Sequence, residues 1–383
     1  MQRGTFKLMK SVNKSLVLNK IRKDGPISRA QIAKESKLTP PTVSSFVKEL
    51  LEEGLVKEKD LGKSNGGRKP TMLEINYHHF YIIGVDSGSS RVDVILSDLS
   101  GTIYERISTL FPKDMSKERF LDILSTGIRD ILSKIHQPEK VLGIGVAMHG
   151  VVQVETGTSL IAPSLGLENI PIKETLEKEF NLEVYVENDA RAMALGESWF
   201  GEYGEQDSMM TVNIGNGVGS GLVVDGSLYH GAQDIAGEIG HMMIDIHGEV
   251  CECGNKGCLQ TFISGSSIAR RANKLSEEYY DSGKDVYEAV QNGNTSLKEV
   301  FEETGKLIGI GITNLIHVVN PKLIVLGGGV MNAEEMLLPT VHKTIAQHAL
   351  TPEAKETKVV VSKLGKDAAL LGATALVLVE IFN

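Results

Sequence analysis

Cysteine is nearly absent from the chain: three in 383 residues, Cys251, Cys253 and Cys258, all within eight positions. With no thiol elsewhere, a disulfide framework is excluded, and the usage fits a reducing, cytoplasmic setting. Long hydrophobic runs are missing too. No apolar stretch approaches the ~18 residues that suggest a membrane span. Met1–Lys20 is basic and interrupted by Asn and Lys, unlike the apolar centre of a secretory signal. Aromatic residues make up 5%, with a single tryptophan, Trp199. What remains, 41% hydrophobic and 23% charged, is ordinary for a soluble protein with room for two or three domains.

The net charge of −9 hides an asymmetry. Met1–Tyr77 carries 16 Lys and Arg against 8 Asp and Glu, net +8, leaving 24 against 41, net −17, for the remainder. A basic head on an acidic body points to a nucleic-acid partner for the head alone. Val12, Leu16 and Ile21, with Val17 and Leu18 between them, predict a first helix that stops before Gly25-Pro26. Ser28 and Gln31 read as a capping box for a short helix reaching about Ser36. Thr39 caps the next helix, whose first turn tolerates Pro40-Pro41 because its amides have no helical partner. Val43, Phe46, Val47, Leu50 and Leu51 form its apolar stripe, and Gly54 ends it. This is a helix-turn-helix. Its second helix offers Pro41, Thr42, Ser44, Ser45 and Lys48 to a major groove, with Arg29 at the start of the helix before it. Leu55–Lys59 and Met72–Ile75 predict two strands around a wing, Asp60–Pro70, where Arg68 follows Gly66-Gly67 and reaches a minor groove or a phosphate. A helical cap for a protein partner is the alternative; basic charge and the winged pattern favour DNA.

The body predicts a strand at Tyr81–Val85, a glycine-containing turn at Gly88–Ser90, a strand at Arg91–Ser97 and a third near Thr102. The cadence recurs at Met209–Ile214, Gly215–Gly221, Leu222–Val224 and Leu228-Tyr229, which argues for a duplicated α/β body with a cleft between its halves. Leu182–Val186 runs as a strand into Asn188 and Asp189 at the start of a helix. Either residue serves as a helix cap, or the carboxylate faces the cleft as a general base for a sugar hydroxyl. His241 precedes the cysteines by ten residues, and Gly254 and Gly257 allow a short loop to gather the thiolates. His241, Cys251, Cys253 and Cys258 then make a three-sulfur, one-nitrogen tetrahedron of the kind that holds structural zinc. Reduced, unligated cysteines are the alternative, which the clustering disfavours.

The segments ISRAQIAKESKLTPPTVSSFVKELLEEGLV and GGRKP resemble the winged helix-turn-helix of the repressor branch of the ROK family (repressors, open reading frames, kinases). ENDARAMALGE, the Gly215–Gly221 run leading to GEIGHM, and CECGNKGC resemble the family's sugar-kinase domain, so that the likeness spans nearly the whole chain. The resemblance implies a winged helix-turn-helix over residues 1–77 and an α/β actin/hexokinase-like body, a duplicated ribonuclease-H-like fold, over 78–383. Its lobes would be about 78–190 with the C-terminal helix, and 191–370, with a zinc loop at 241–258. It further implies that Asn188, Asp189, Glu238 and His241 hold sugar hydroxyls, with Gln260 where the family usually has Glu, and that Asp189 is the base in a kinase.

The phosphate loops depart from the kinase pattern. Asp86-Ser87-Gly88-Ser89-Ser90-Arg91 stands for Asp-x-Gly-Gly-Thr-Lys, and Asn216 and Ser220 replace a threonine and a glycine of the second loop. Side chains at Ser89 and Ser220 are expected to obstruct close backbone approach by phosphates, which puts Mg-ATP in doubt while sparing the sugar side. The expected function is a sugar-responsive repressor, dimeric on operator DNA and released by a monosaccharide such as xylose. The alternative is an ATP-dependent sugar kinase.

Overall fold

The computed structural model describes residues 6–61, 70–204 and 206–382. The head opens with a helix, Phe6–Asp24, that buries Val17, Leu18 and Ile21 and leaves Val12 and Leu16 exposed. The buried face is therefore one step round from the expected one. Ser28 caps the helix Arg29–Ser36 by accepting from the Gln31 amide at 3.2 Å, but the Gln31 side chain donates forward to Glu35. Only half of the capping box forms. Thr39 caps Pro40–Glu52, which buries Val43, Phe46, Val47 and Leu50. Strands Val56–Leu61 and Thr71–Ile75 pair antiparallel, and a two-residue strand not foreseen, Ile27–Ser28, joins the other edge of Thr71–Ile75. Residues 62–69 of the expected wing, Arg68 among them, lie outside the described residues.

The body contains the same five-stranded pattern twice. In the first sheet the strands lie in the order Val184–Asn188, Val141–Met148, Tyr81–Ser87, Arg91–Asp98, Ile103–Leu110. In the second the order is Lys358–Val361, Leu323–Gly327, Ser208–Ile214, Val218–Val224, Ser227–Leu228. Each has three antiparallel strands in chain order, with two parallel strands added beside the first. Parallel pairs need long crossovers, which the helices between them supply. The duplication foreseen from the glycine cadence is present, with one correction. The second hairpin turns at Gly215–Gly217, and Gly219 and Gly221 belong to its return strand. A Cβ at Gly219 would come within 2.8 Å of the Ala190 Cβ, and one at Gly221 within 2.6 Å of the Ala194 Cβ. Glycine there lets the helix Asp189–Phe200 lie flat on the sheet.

That helix and the C-terminal helix, Ala368–Phe382, fill the space between the lobes. Their backbones touch: a Cβ at Gly372 would sit 1.9 Å from the Ala192 carbonyl oxygen, and one at Gly196 2.4 Å from that of Ala368. The head rests on the far end of the same pair. Val17, Leu18 and Ile21 share one apolar core with Val377, Leu378 and Phe382. Asn19 Nδ2 donates to the Phe382 carbonyl at 2.6 Å. The Arg22 guanidinium lies 4.2 Å from the Trp199 ring centre and 5.5 Å from that of Phe382. No helix among the described residues is long and apolar enough to cross a membrane.

Candidate functional site

The strand Val184–Asn188 delivers Asn188 and Asp189 to the cleft. Asn188 caps the following helix: Oδ1 accepts from the amides of Ala190 (3.0 Å) and Arg191 (3.1 Å). Its Nδ2 donates to the Gly150 carbonyl (2.9 Å) and to Asp189 Oδ1 (3.1 Å). Two donors and two acceptor positions are thus all taken. Asp189 Oδ1 accepts from the Ala190 amide at 2.8 Å as well. Burial raises its pKa, opposed chiefly by His149. Glu238, half-buried, is raised by desolvation too, with His241 and Arg191 opposing and Asp189 adding to the shift. Asp86, near the end of Tyr81–Ser87 on the far side of the strand Val141–Met148, is pushed up to about 7 by burial and then by Asp189 and Asp93. A cleft floor of crowded carboxylates favours neutral, hydroxyl-rich ligands, which bring donors without adding negative charge.

Beneath this floor lies a salt bridge the sequence did not announce. Arg191 Nε donates to Glu187 Oε1 at 2.7 Å, and both side chains are buried. His230 Nε2 lies 2.6 Å from Glu187 Oε2, and Arg191 Nη1 donates to the Asp234 carbonyl at 2.7 Å. The cleft helix is thereby tied to the loop that carries Glu238 and His241. Its one trace in the sequence is a Glu four residues before an Arg, and the helix rule for that spacing does not apply because Glu187 lies on the strand.

The cysteine loop is assembled as its spacing foretold. The ligand atoms of His241, Cys251, Cys253 and Cys258 all lie within 4.8 Å of one another. Cys253 Sγ and Cys258 Sγ are 3.6 Å apart, and Cys251 Sγ is 3.7 Å from His241 Nδ1. Tetrahedral zinc with ~2.3 Å sulfur bonds has edges of about 3.5–3.8 Å, so the donor set fits that ion. Gly257, at φ +67°, has no room for a side chain, since a Cβ would fall 1.6 Å from the Asp245 carbonyl oxygen. Gln260 Nε2 donates to Cys251 Sγ at 3.2 Å. A carboxylate could not make that bond, which gives glutamine a role at this position. Gln260 also stands beside Gly217 and Gly240, between the cysteine loop and the second hairpin.

The two serines of the hairpins behave differently. Ser89 is exposed at its turn, as expected. Ser220 is buried, and its hydroxyl donates to the Gly237 carbonyl at 2.8 Å. That bond braces the loop leading to Glu238, so the steric argument against ATP keeps Ser89 and no longer rests on Ser220.

On the head, Pro41, Ser44, Ser45 and Lys48 are exposed at helical spacing, on one face of Pro40–Glu52. Thr42 is half-buried, its hydroxyl 2.8 Å from that of Thr39. Arg29 donates to Glu58 at 3.0 Å, an ion pair that DNA phosphate would have to replace.

Residues 13–57 match the winged helix-turn-helix DNA-binding family, and residues 82–380 match the ROK family. The chain belongs to the ROK family. It is 36% identical to the xylose repressor of Caldicellulosiruptor bescii over 99% of this chain and 98% of that one. A crystal structure of a ROK family transcriptional regulator, a homolog of the E. coli MLC protein, superposes with TM-score 0.84 at 27% identity, covering 98% and 97% of the two chains. A ROK family glucokinase from Streptomyces griseus, in complex with glucose and AMPPNP, superposes with TM-score 0.68 at 27% identity over 77% of this chain and 98% of its own. The body thus has the actin/hexokinase-like fold, and a winged helix-turn-helix precedes it.

Proposed function

We propose that this ROK protein is a sugar-responsive transcriptional repressor whose head binds operator DNA as a homodimer and lets go when a monosaccharide such as xylose enters the cleft. One observation carries the reading: the helix that begins after Asn188 carries Trp199 in its last turn, against which Arg22 of the head is stacked. A ligand at one end of a rigid helix thereby meets the DNA-binding unit at the other. Likeness to a xylose repressor over the full length supports the choice of sugar. Asp189, Glu238 and His241 are assigned to the sugar, with Asn188 holding Asp189 in place. The cysteine loop holds zinc through His241, Cys251, Cys253 and Cys258, which orients His241 toward the cleft and activates no water. Pro41, Ser44, Ser45 and Lys48 face the major groove.

Linkage fixes the sign: the sugar must bind the DNA-incompetent form more tightly, and DNA must weaken sugar binding by the same factor. Likeness to a glucokinase favours a second reading, phosphorylation of the sugar with Asp189 as base. One experiment separates them. Duplexes selected from a random pool are titrated with the full chain, with and without xylose, glucose and N-acetylglucosamine, beside a coupled ATPase assay with the same sugars. A repressor gives salt-sensitive DNA binding that one sugar weakens, without turnover. Sugar-dependent ATP turnover abolished by Asp189→Ala, with no effect of sugar on DNA binding, overturns the proposal.

A further inference from the structure

Three parallel strands end level with one another at the cleft: Ser87 and Asn188 both pair with Met148 on the strand between them. The next residue on that middle strand is His149, 8% exposed. Its backbone amide donates to the Ser87 carbonyl at 3.2 Å, and its ring Nδ1 lies 3.1 Å from the same oxygen. A carbonyl oxygen only accepts, so Nδ1 carries a proton, and Nε2 is the ring nitrogen left for a ligand. Nε2 is buried and has no hydrogen-bond partner among the described residues; the same is true of the neighbouring Ser87 hydroxyl. Buried polar atoms without partners are costly and uncommon. These two residues lie at the carboxyl edge of a parallel sheet, where α/β folds receive their ligands. Asp189 is close by: Asn188 pairs with Met148, so Asp189 and His149 follow at one level at the ends of adjacent strands.

Resting on the sugar reading of the cleft, we infer that His149 is a specificity-determining residue: its Nε2 accepts a hydrogen bond from the sugar hydroxyl adjacent to the one that Asp189 takes. Two acceptors side by side select a vicinal diol, which supplies two donors about one hydrogen-bond length apart. They discriminate against a deoxy sugar, which leaves one of them unpaired. They also discriminate against a phosphate or carboxylate at this end of the ligand, which brings acceptors to acceptors.

The test uses the full chain and titration calorimetry with D-xylose and its 2-deoxy, 3-deoxy and 4-deoxy analogues, on wild type and His149→Phe, which keeps the ring and removes the acceptor. Wild type should bind one deoxy analogue roughly ten- to a hundredfold more weakly than xylose, the usual effect of a lost buried hydrogen bond. In His149→Phe, xylose should weaken to the level of that analogue and the gap between them should close. A gap that persists, or equal weakening of all four sugars, overturns the inference while leaving the sugar reading intact. Failure of every sugar to bind wild type overturns both. Imidazole nitrogen NMR on the wild type needs no folded variant: Nδ1 should be protonated, and xylose should shift the Nε2 resonance. A proton found on Nε2, or an Nε2 signal indifferent to bound xylose, removes the basis of the inference.

Discussion

Replacing Phe382 with alanine should disconnect the sugar from the DNA. The side chain is buried at the joint between head and body, its ring 5.6 Å from that of Trp199 and 5.5 Å from the Arg22 guanidinium. Truncating a buried phenylalanine typically costs about 3–5 kcal/mol, part of it from the cavity left behind. Coupling between two sites in regulated proteins is usually about 1–3 kcal/mol. The loss therefore exceeds the energy to be transmitted, and the sugar effect on DNA affinity should fall below about twofold. Neither binding site contains Phe382, so the two separate affinities should hold. The assay is fluorescence anisotropy on a labelled duplex at fixed salt, with sugar binding followed in parallel through Trp199. Thermal unfolding shows whether the body remains folded. A Phe382→Ala protein that folds, binds both ligands and still shows the wild-type factor would refute the joint as the route of communication.

Asp86 gives a pH signature with a definite sign. Its folded pKa is raised from 3.8 to about 7 by burial, by Asp189, Asp93 and Asp367, against the opposing charge of Arg91. The unfolded chain therefore loses this proton as pH rises from about 4 while the folded one keeps it, and stability drains away up to pH 7 and then levels off. Asp86→Asn lacks the titration, so its unfolding free energy, from denaturant melts, should match wild type near pH 4 and exceed it increasingly toward pH 7, by an upper bound of about 4 kcal/mol for three pKa units. A difference that is flat with pH would contradict it. At the cysteine loop, stripping metal with a chelator, or Cys253→Ser, should weaken the sugar response severalfold while the head's intrinsic DNA affinity changes little, as read by the same anisotropy titrations. Equal loss of both would place the metal's role outside the cleft.

Local chemistry made much of this fold legible. Ser28 and Thr39 cap their helices because a short side-chain oxygen before an apolar stripe satisfies an amide left over at the helix start. The cysteine cluster could be read because four ligands fall within one short segment. What stayed hidden depends on partners distant in the chain. Ile27–Ser28 is a strand only because Met72 and Leu73 arrive beside it. Gly219 and Gly221 look like turn residues and are spaces for Ala190 and Ala194. Ser220 looked like an obstruction to phosphate until its bond to Gly237 placed it. His149 offered no signal at all, since nothing in its neighbours tells that one ring nitrogen will be occupied by Ser87 and the other left bare.

The cleft and the joint need not communicate through a chain of small adjustments. The helix Asp189–Phe200 is twelve residues long, about 18 Å at 1.5 Å per residue, and a helix that short moves as a rod. Close backbone contacts at Gly196 and Gly372 lock it against Ala368–Phe382, because neither helix can slide without driving a carbonyl oxygen into its neighbour. Glu187 and Arg191 fix its first turn to the loop behind Glu238 and His241. A sugar that draws Asp189 and Glu238 together must therefore move the whole rod, and with it both rings that pack around Arg22, Trp199 on one helix and Phe382 on the other. The head is packed on the far end of that rod. A kinase gains nothing from such an attachment, because binding energy spent on displacing a head is withheld from the transition state. A repressor requires it.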